Sequence, residues 1–333
     1  MKYRNLGGSG ISASVAGMGT WVTGGGAGWG AEPDDTESIH AIHAAIDMGV
    51  NLIDTSPMYG LGRSEAVVGK AIKGKRDKVV LATKCGLWAD DERGSYFMDL
   101  DGVRTMRSLR PDTIRIEIDR SLQRLGVDVI DLYQTHWPAI PPDKTPIADT
   151  MACLLELRDQ GKIRAIGVSN VSLDELKENA ACGPVASNQF RYSMLCRGPE
   201  NDILPYCLKN NIATLTYMSL EQGLLTGKVG MDRAFGQGEW RANADWNPWF
   251  KPENRRRVLD MLASWKDLTA EYHCSLAQLV VAWTAAQPGV THVLCGARTA
   301  EQIAQTAAAA DLELEPADIL RIRDDVEALG EPA

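Results

Sequence analysis

The chain has 333 residues, 44% hydrophobic and 24% charged, with a formal net charge of -9. That balance belongs to a folded globular protein and excludes extensive disorder, while the acidic sum and the lack of a long Lys/Arg run leave no footprint for nucleic acid. No apolar stretch reaches the roughly 18 residues that span a bilayer, and the N-terminus MKYRNLGGSG has no apolar centre of the kind a secretory leader needs, so a cytoplasmic chain without membrane partners is expected.

The seven cysteines (Cys85, Cys153, Cys182, Cys196, Cys207, Cys274, Cys295) never form a CxxC pair, which predicts free thiols in a reducing compartment. His40 and His43 stand three apart on one predicted helix. With no third ligand nearby, no metal site is expected there.

In chain order, two alternating segments over 2–6 and 11–15 flank Gly7-Gly8-Ser9-Gly10 and predict a β-hairpin. Asp34 or Asp35 then caps a helix with Ile39, Ile42 and Ile46 at helical spacing, stopped by Gly49. From here strand and helix alternate. Apolar strands are predicted over 15–19, 50–54, 78–83, 129–135, 163–168, 185–189, 212–217 and 291–295. Eight such units imply a closed (β/α)8 barrel of the TIM type, with an open doubly wound parallel sheet as the competing architecture.

Two stretches break the repeat. The stretch 229–252, with Gly230, Gly236, Gly238, Trp240, Trp246, Pro248 and Trp249, has neither helical nor strand period and predicts a long loop or lid. Val258, Leu262, Trp265 and Leu268 then predict a helix surplus to the repeat, Leu276, Leu279, Val280 and Trp283 another, and 316–329 a last one. No polar linker marks a boundary, so one domain over 1–333 is expected.

In such a barrel, chemistry sits at the C-terminal ends of the strands. The second strand ends at Asp54 with Tyr59 five residues on, the third reaches Lys84, and the fourth leads to His136. These four suit carbonyl reduction. A hydride added to a carbonyl carbon leaves an alkoxide that needs a proton, and Tyr59 can supply it. An adjacent Lys84 ammonium is expected to lower the phenol's pKa, with Asp54 holding Lys84 charged. A nitrogen of His136 can hydrogen-bond the carbonyl oxygen. Taken singly, each residue has an ordinary structural reading; their coincidence at strand ends is what speaks for chemistry.

The segments GVNLIDTSPMYGLGRSEAVVGKA, VVLATKCG, RLGVDVIDLYQTHWP, GKIRAIGVSN and GLLTGK, in this order, make the chain resemble the aldo-keto reductases over nearly its whole length. The resemblance implies that Asp54, Tyr59, Lys84 and His136 are that family's catalytic tetrad. It also implies cofactor contacts: Gly19, Thr20 and Trp21 after the first strand, and Ser169, Asn170 and Gln189 at the nicotinamide carboxamide. Tyr217 is implied to stack on the nicotinamide, with Ser219, Leu220, Gly223, Leu224 and Lys228 over the pyrophosphate. Gly296, Arg298, Thr299 and Gln302 are implied around the adenosine phosphate, where a helix N-terminus is an anion site. Arg298 resembles the arginine that selects NADPH, which makes NADPH the expected cofactor and NADH the alternative. The pattern departs at Thr306, where many members carry asparagine.

Two other readings compete. Gly26, Gly28 and Ala31 fit a relaxed G-x-G-x-x-A, but they sit in a longer glycine run well past the strand, unlike the tight turn of a Rossmann domain. No Tyr-x-x-x-Lys spacing occurs. A nucleotide-sensing regulatory subunit is the alternative from a different class, with an intact tetrad standing against it. Trp21, Trp88 and Trp137 follow strands one, three and four and are expected to wall a substrate pocket for short polyol-derived or aliphatic aldehydes.

Overall fold

The structure is a computed structural model and describes residues 1–29, 33–100, 102–236, 239–243 and 245–333; Ala31 and Gly238 lie outside the described residues. The N-terminal hairpin forms as expected, with β1 (Tyr3–Asn5) antiparallel to β2 (Ser12–Ser14). It closes one end of the molecule. Leu6, Ile11 and Ala13 join the cluster inside the strands, and a Cβ on Gly7 would stand 2.5 Å from Ala186 O, so the turn is pressed against the strand starts.

The next strands are β3 (Ala16–Gly19), β4 (Leu52–Asp54) and β5 (Val80–Cys85), separated by α1 (Trp21–Gly24), α2 (Asp35–Asp47) and α3 (Arg63–Ile72). Asp34 is the cap of α2, its carboxylate accepting Thr36 N–H at 2.7 Å. An antiparallel sheet of β6 (Leu87–Trp88), β7 (Ser95–Leu100) and β8 (Val103–Arg107) follows β5, in the order β6-β8-β7. The sequence reading missed it. Its strands are short, and two signals for it went unread, the alternation of Tyr96, Met98 and Leu100 and the hairpin-type dipeptide Asp101-Gly102 that follows.

The repeat then resumes with α4 (Pro111–Leu125), β9 (Ile130–Thr135), α5 (Ile147–Asp159), β10 (Ile163–Ser169), α6 (Leu173–Cys182), β11 (Ser187–Arg191), α7 (Ile203–Lys209) and β12 (Ala213–Tyr217). The chain ends with α8 (Pro252–Ser264), α9 (Lys266–Glu271), α10 (Leu276–Ala285), β13 (His292–Gly296), α11 (Ala300–Ala308) and α12 (Pro316–Leu329). The strands β3-β4-β5-β9-β10-β11-β12-β13 form a closed parallel barrel, β13 pairing back onto β3. This is the (β/α)8 architecture, and it excludes the open doubly wound sheet.

Alternation along each strand builds two apolar layers. Leu52, Val80, Ala82, Leu132 and Leu294 fill the interior, whereas Ile53, Leu81 and Ile166 face the helices and meet Ile42, Val68, Ile118 and Leu154. Each fully buried Leu or Ile contributes on the order of 2 kcal/mol through burial. The surplus helices have a cluster of their own, in which Val258, Leu262 and Trp265 pack with Trp283, Ile322 and Val326. Trp249 and Phe250 of the 229–252 stretch anchor in that same cluster. No described helix is long and apolar enough to cross a membrane. All seven cysteines are unpaired.

Candidate active site

A cavity of about 1040 Å3 opens at the C-terminal ends of the strands and is lined by Gly19, Asp54, His136, Gln189, Tyr217 and Gly296, among others. Tyr59 reaches it from a turn fixed by close backbone contact. A Cβ on Gly24 would stand 2.4 Å from the Tyr59 carbonyl carbon, and one on Gly60, whose φ is +62°, 2.1 Å from Gly24 O. Only glycines allow these two loops to touch.

Lys84 is fully buried at the end of β5, and an ammonium buried there needs an acceptor for each of its three protons. It has three: Asp54 Oδ1 at 2.6 Å, Thr55 O at 2.9 Å and the Tyr59 hydroxyl oxygen at 3.1 Å. The other carboxylate oxygen of Asp54 accepts from Gln134 Nε2 at 3.0 Å and Gln189 Nε2 at 2.9 Å. Since Tyr59 oxygen accepts from Lys84, its own proton points elsewhere.

The charge balance around Tyr59 corrects one expectation. Burial pushes the phenol above its ordinary value; Lys84 pulls it down, Asp54 pushes back, and the net direction is up. Lys84 shares its charge with Asp54, which blunts its effect on the phenol. Lys84 itself stays charged, because Asp54 and then Tyr59 outweigh the cost of burial.

His136 packs edge-on to Tyr59, with ring centroids 5.9 Å apart. Burial first, then Lys84 and Arg107, hold its pKa well below the ordinary histidine value, so the ring is neutral at pH 7. Its Nδ1 lies 3.2 Å from Ser56 Oγ. Arg107 is sandwiched over the rings of Phe97 (4.4 Å) and Trp137 (4.7 Å), which ties the β6-β8-β7 sheet to the cavity.

The other expected positions divide. Trp21 and Trp137 line the cavity, Trp21 standing 6.1 Å from the Tyr59 ring. Trp88 does not; it is buried with Nε1 donating to Asp91 at 2.8 Å, because β6 turns it into the added sheet. Asn170 and Tyr217 line the cavity bonded to each other, Tyr217 OH to Asn170 Oδ1 at 2.7 Å. Ser169 is buried and bonded by Asn170 Nδ2 at 3.1 Å.

Thr20, Ser219, Leu220, Gly223 and Lys228 line the cavity, whereas Leu224 is buried in the cluster of the surplus helices. Gly296, Arg298, Gln302 and Thr306 line its far end, and Thr299 caps α11, accepting Gln302 N–H at 3.3 Å. Arg298 is not the only cation there: Lys228, Arg233 and Arg241 line the same cavity. Gly28, part of the glycine pattern, also faces the cavity.

Residues that the sequence reading missed include Gln134, Ser56, Trp29, Arg191 and Arg241. For Gln134 a signal was available, since it lies at the C-terminal end of β9, the end at which chemistry is expected. The others come from loops or partner strands whose meeting has no local sequence signature.

The profile of the Aldo/keto reductase family matches residues 16–326. A protein of Escherichia coli named NADH-specific methylglyoxal reductase is 43% identical over 99% of both chains, and an aldo-keto reductase of Bacillus subtilis is 41% identical over 91% of this chain and 87% of its own. Among solved structures, the glycerol dehydrogenase of Gluconobacter oxydans superposes with a TM-score of 0.85 at 36% identity, covering 99% of this chain and 96% of that one. An aldo/keto reductase of Klebsiella pneumoniae in complex with NADP and acetate superposes with a TM-score of 0.72 at 26% identity, covering 97% and 95%. None of these findings favours the regulatory reading. With the match running from the first barrel strand into the last helix, the chain belongs to the aldo/keto reductase family and is a nicotinamide-dependent oxidoreductase of aldehydes and ketones.

Proposed function

We propose that this enzyme reduces small aliphatic or polyol-derived aldehydes with NADPH, Tyr59 giving the proton. The observation that carries the reading is the Lys84 ammonium, each of whose three protons has an acceptor, one of them the Tyr59 oxygen. A phenol accepting from an ammonium keeps its own proton free for a substrate oxygen.

A dinucleotide fits the chemistry of the cavity. The Gln222 amide, Trp29 Nε1, Arg191 Nε and Arg241 Nε are buried without a hydrogen-bond partner among the described residues, and all four residues line it. Four donor groups lacking partners suit a group rich in phosphate oxygens. Gln189 has its amide nitrogen committed to Asp54, which leaves its oxygen to accept from the nicotinamide carboxamide. When bound, the reduced nicotinamide supplies a hydride to the carbonyl carbon.

His136, being neutral, donates one hydrogen bond to the substrate oxygen and orients it. Tyr59 transfers its proton to that oxygen as negative charge develops there, and the Lys84 ammonium stabilises the phenolate left behind. Asp54, held by two glutamine amides, keeps Lys84 charged and in place. Trp21, Trp137 and Phe97 give the substrate end aromatic walls, and Trp240 and Trp246 of the 229–252 stretch act as its lid.

NADH is the second reading, favoured by the name of the Escherichia coli relative. Steady-state oxidation of NADPH and NADH against a panel of small aldehydes separates the two. Tyr59→Phe is expected to lower kcat by at least about 100-fold while nucleotide affinity stays near the wild-type value. Because the phenol lies above its ordinary value, reduction should persist through alkaline pH and fall only above about 10, while alcohol oxidation should rise with pH. A variant that keeps more than about a tenth of wild-type turnover would assign the proton to another group.

A further inference from the structure

Beyond the catalytic residues, one carboxylate joins three parts of the cavity wall. Glu221 is fully buried. Its Oε2 accepts from Arg191 Nη2 at 2.7 Å and from Asn247 Nδ2 at 3.0 Å, and its Oε1 from Ser193 Oγ at 2.6 Å. Arg191 ends β11 and Ser193 follows it; Asn247 belongs to the segment that roofs the cavity.

The loop carrying Glu221 is unusual in its backbone. Met218 (φ +59°), Glu221 (φ +44°) and Gln222 (φ +51°) all occupy the left-handed region. Side chains other than glycine persist there only where the surroundings over-determine them. Met218, Ser219, Leu220, Gln222 and Gly223 line the cavity, so the strained stretch is wall, not surface. The Glu221 carboxylate is the side-chain anchor that pulls it toward β11.

The same carboxylate reaches the roof. Asn247 is buried and bonds at both ends, its Oδ1 accepting Trp249 N–H at 3.3 Å to start the turn Pro248–Phe250, its Nδ2 donating to Glu221. Next to it Trp246 meets Trp240 at 4.6 Å and receives the Arg191 guanidinium over its ring at 5.9 Å. Arg191 therefore touches both ends of the link.

We infer that Glu221 is a positioning residue for nucleotide binding, fastening the left-handed loop 218–223 to the roof residues 239–243 and 245–250 so that neither is fixed without the other. The part concerning nucleotide rests on the proposed cofactor reading; the coupling between loop and roof does not. A buried carboxylate that loses one of its donors is left undersatisfied, so loosening either partner loosens the other.

Hydrogen exchange of the protein without nucleotide, for wild type, Glu221→Gln and Asn247→Ala, reads the coupling directly. In Asn247→Ala, exchange within 218–223 should rise at least about fivefold although the substitution lies in the roof, and in Glu221→Gln exchange within those roof residues should rise likewise. Titration by tryptophan fluorescence should show Kd for NADPH and for NADH weakened about tenfold in Glu221→Gln and less in Asn247→Ala. Exchange that rises only around the substituted residue overturns the coupling. Should Glu221→Gln fail to fold, exchange in Asn247→Ala decides alone. A wild type that binds neither nucleotide while cross-segment exchange rises sinks the cofactor reading and leaves the coupling standing; binding without cross-segment exchange does the reverse.

Discussion

Ser56 Oγ accepts the Met58 N–H at 3.2 Å and lies 3.2 Å from Nδ1 of His136. Polarising a substrate carbonyl calls for the ring proton of the neutral histidine on Nε2, the tautomer in which Ser56 Oγ, which can accept from Met58 and donate at the same time, gives its proton to Nδ1. That leaves Nε2–H as the donor a carbonyl oxygen needs. Ser56→Ala removes the group that sets this tautomer, and kcat should fall by roughly threefold to tenfold, the worth of one modest hydrogen bond. Nitrogen-15 chemical shifts of His136 check it, the wild type showing a protonated Nε2 and the variant a mixture. Identical spectra for the two proteins would remove Ser56 from the mechanism. At this scale much was legible: Asp54, Tyr59, Lys84 and His136 each end or follow an apolar run, so strand ends pointed to them. The sign of the Tyr59 shift was not, because it depends on burial and on how Lys84 divides its charge between two neighbours.

Among the elements, α4 supplies a support behind the strand that carries Lys84. Both carboxylate oxygens of Glu117 accept Gly86 N–H, at 3.1 and 3.0 Å, just past the end of β5. Burial pushes Glu117 up from 4.5 to about 8; the Gly86 bond, Arg124 and Arg120 pull down, while Glu65 on α3 pushes further up. Cys85 on β5 is raised in turn by burial and by Glu117. Between the unfolded value and the folded one, the native protein holds a proton that the unfolded chain has released. Stability contributed by protonated Glu117 is therefore complete below about pH 4.5 and is lost as pH rises toward about 8. Glu117→Gln keeps an acceptor for Gly86 and cannot ionise, so its Tm relative to wild type should climb between about pH 5 and about pH 9. A Tm difference that stays constant over that range would refute the assignment. Elements with clean periods, such as α2, α10 and the barrel strands, were readable. The β6-β8-β7 sheet was not read, although Tyr96, Met98 and Leu100 alternate: a bulge between Tyr96 and Met98 breaks that register, and most of β7 stays outside the core.

Over the whole molecule, separate stretches of chain meet at the far end of the cavity. Lys228 and Arg233 come from the region after β12, Arg241 from the roof and Arg298 from the turn before α11. Arg298 is lowered by burial first and then by repulsion from Arg241, with Arg233 adding to it and Glu239 opposing, and its Nη2 donates to Trp29 O at 2.7 Å. Like charges drawn together favour an anion between them. Arg298→Ala should weaken NADPH by roughly 10- to 100-fold, the worth of a charged hydrogen bond, and NADH only slightly, as measured by fluorescence titration. Equal losses would mean that Arg298 does not read a 2'-phosphate and that its neighbours hold the nucleotide by the pyrophosphate alone.

The sequence by itself determined the eight-fold alternation, the barrel and the four residues at strand ends, because hydrophobic period and strand-end position are local properties of the chain. Tertiary structure decided the rest: that Gln134 and Gln189 grip Asp54, that Trp88 turns away, that the roof lies on Trp21, and that Glu221 joins a strained loop to Asn247. These are contacts between residues tens or hundreds of positions apart, and no periodicity along the chain encodes which side chains will share one proton or one charge.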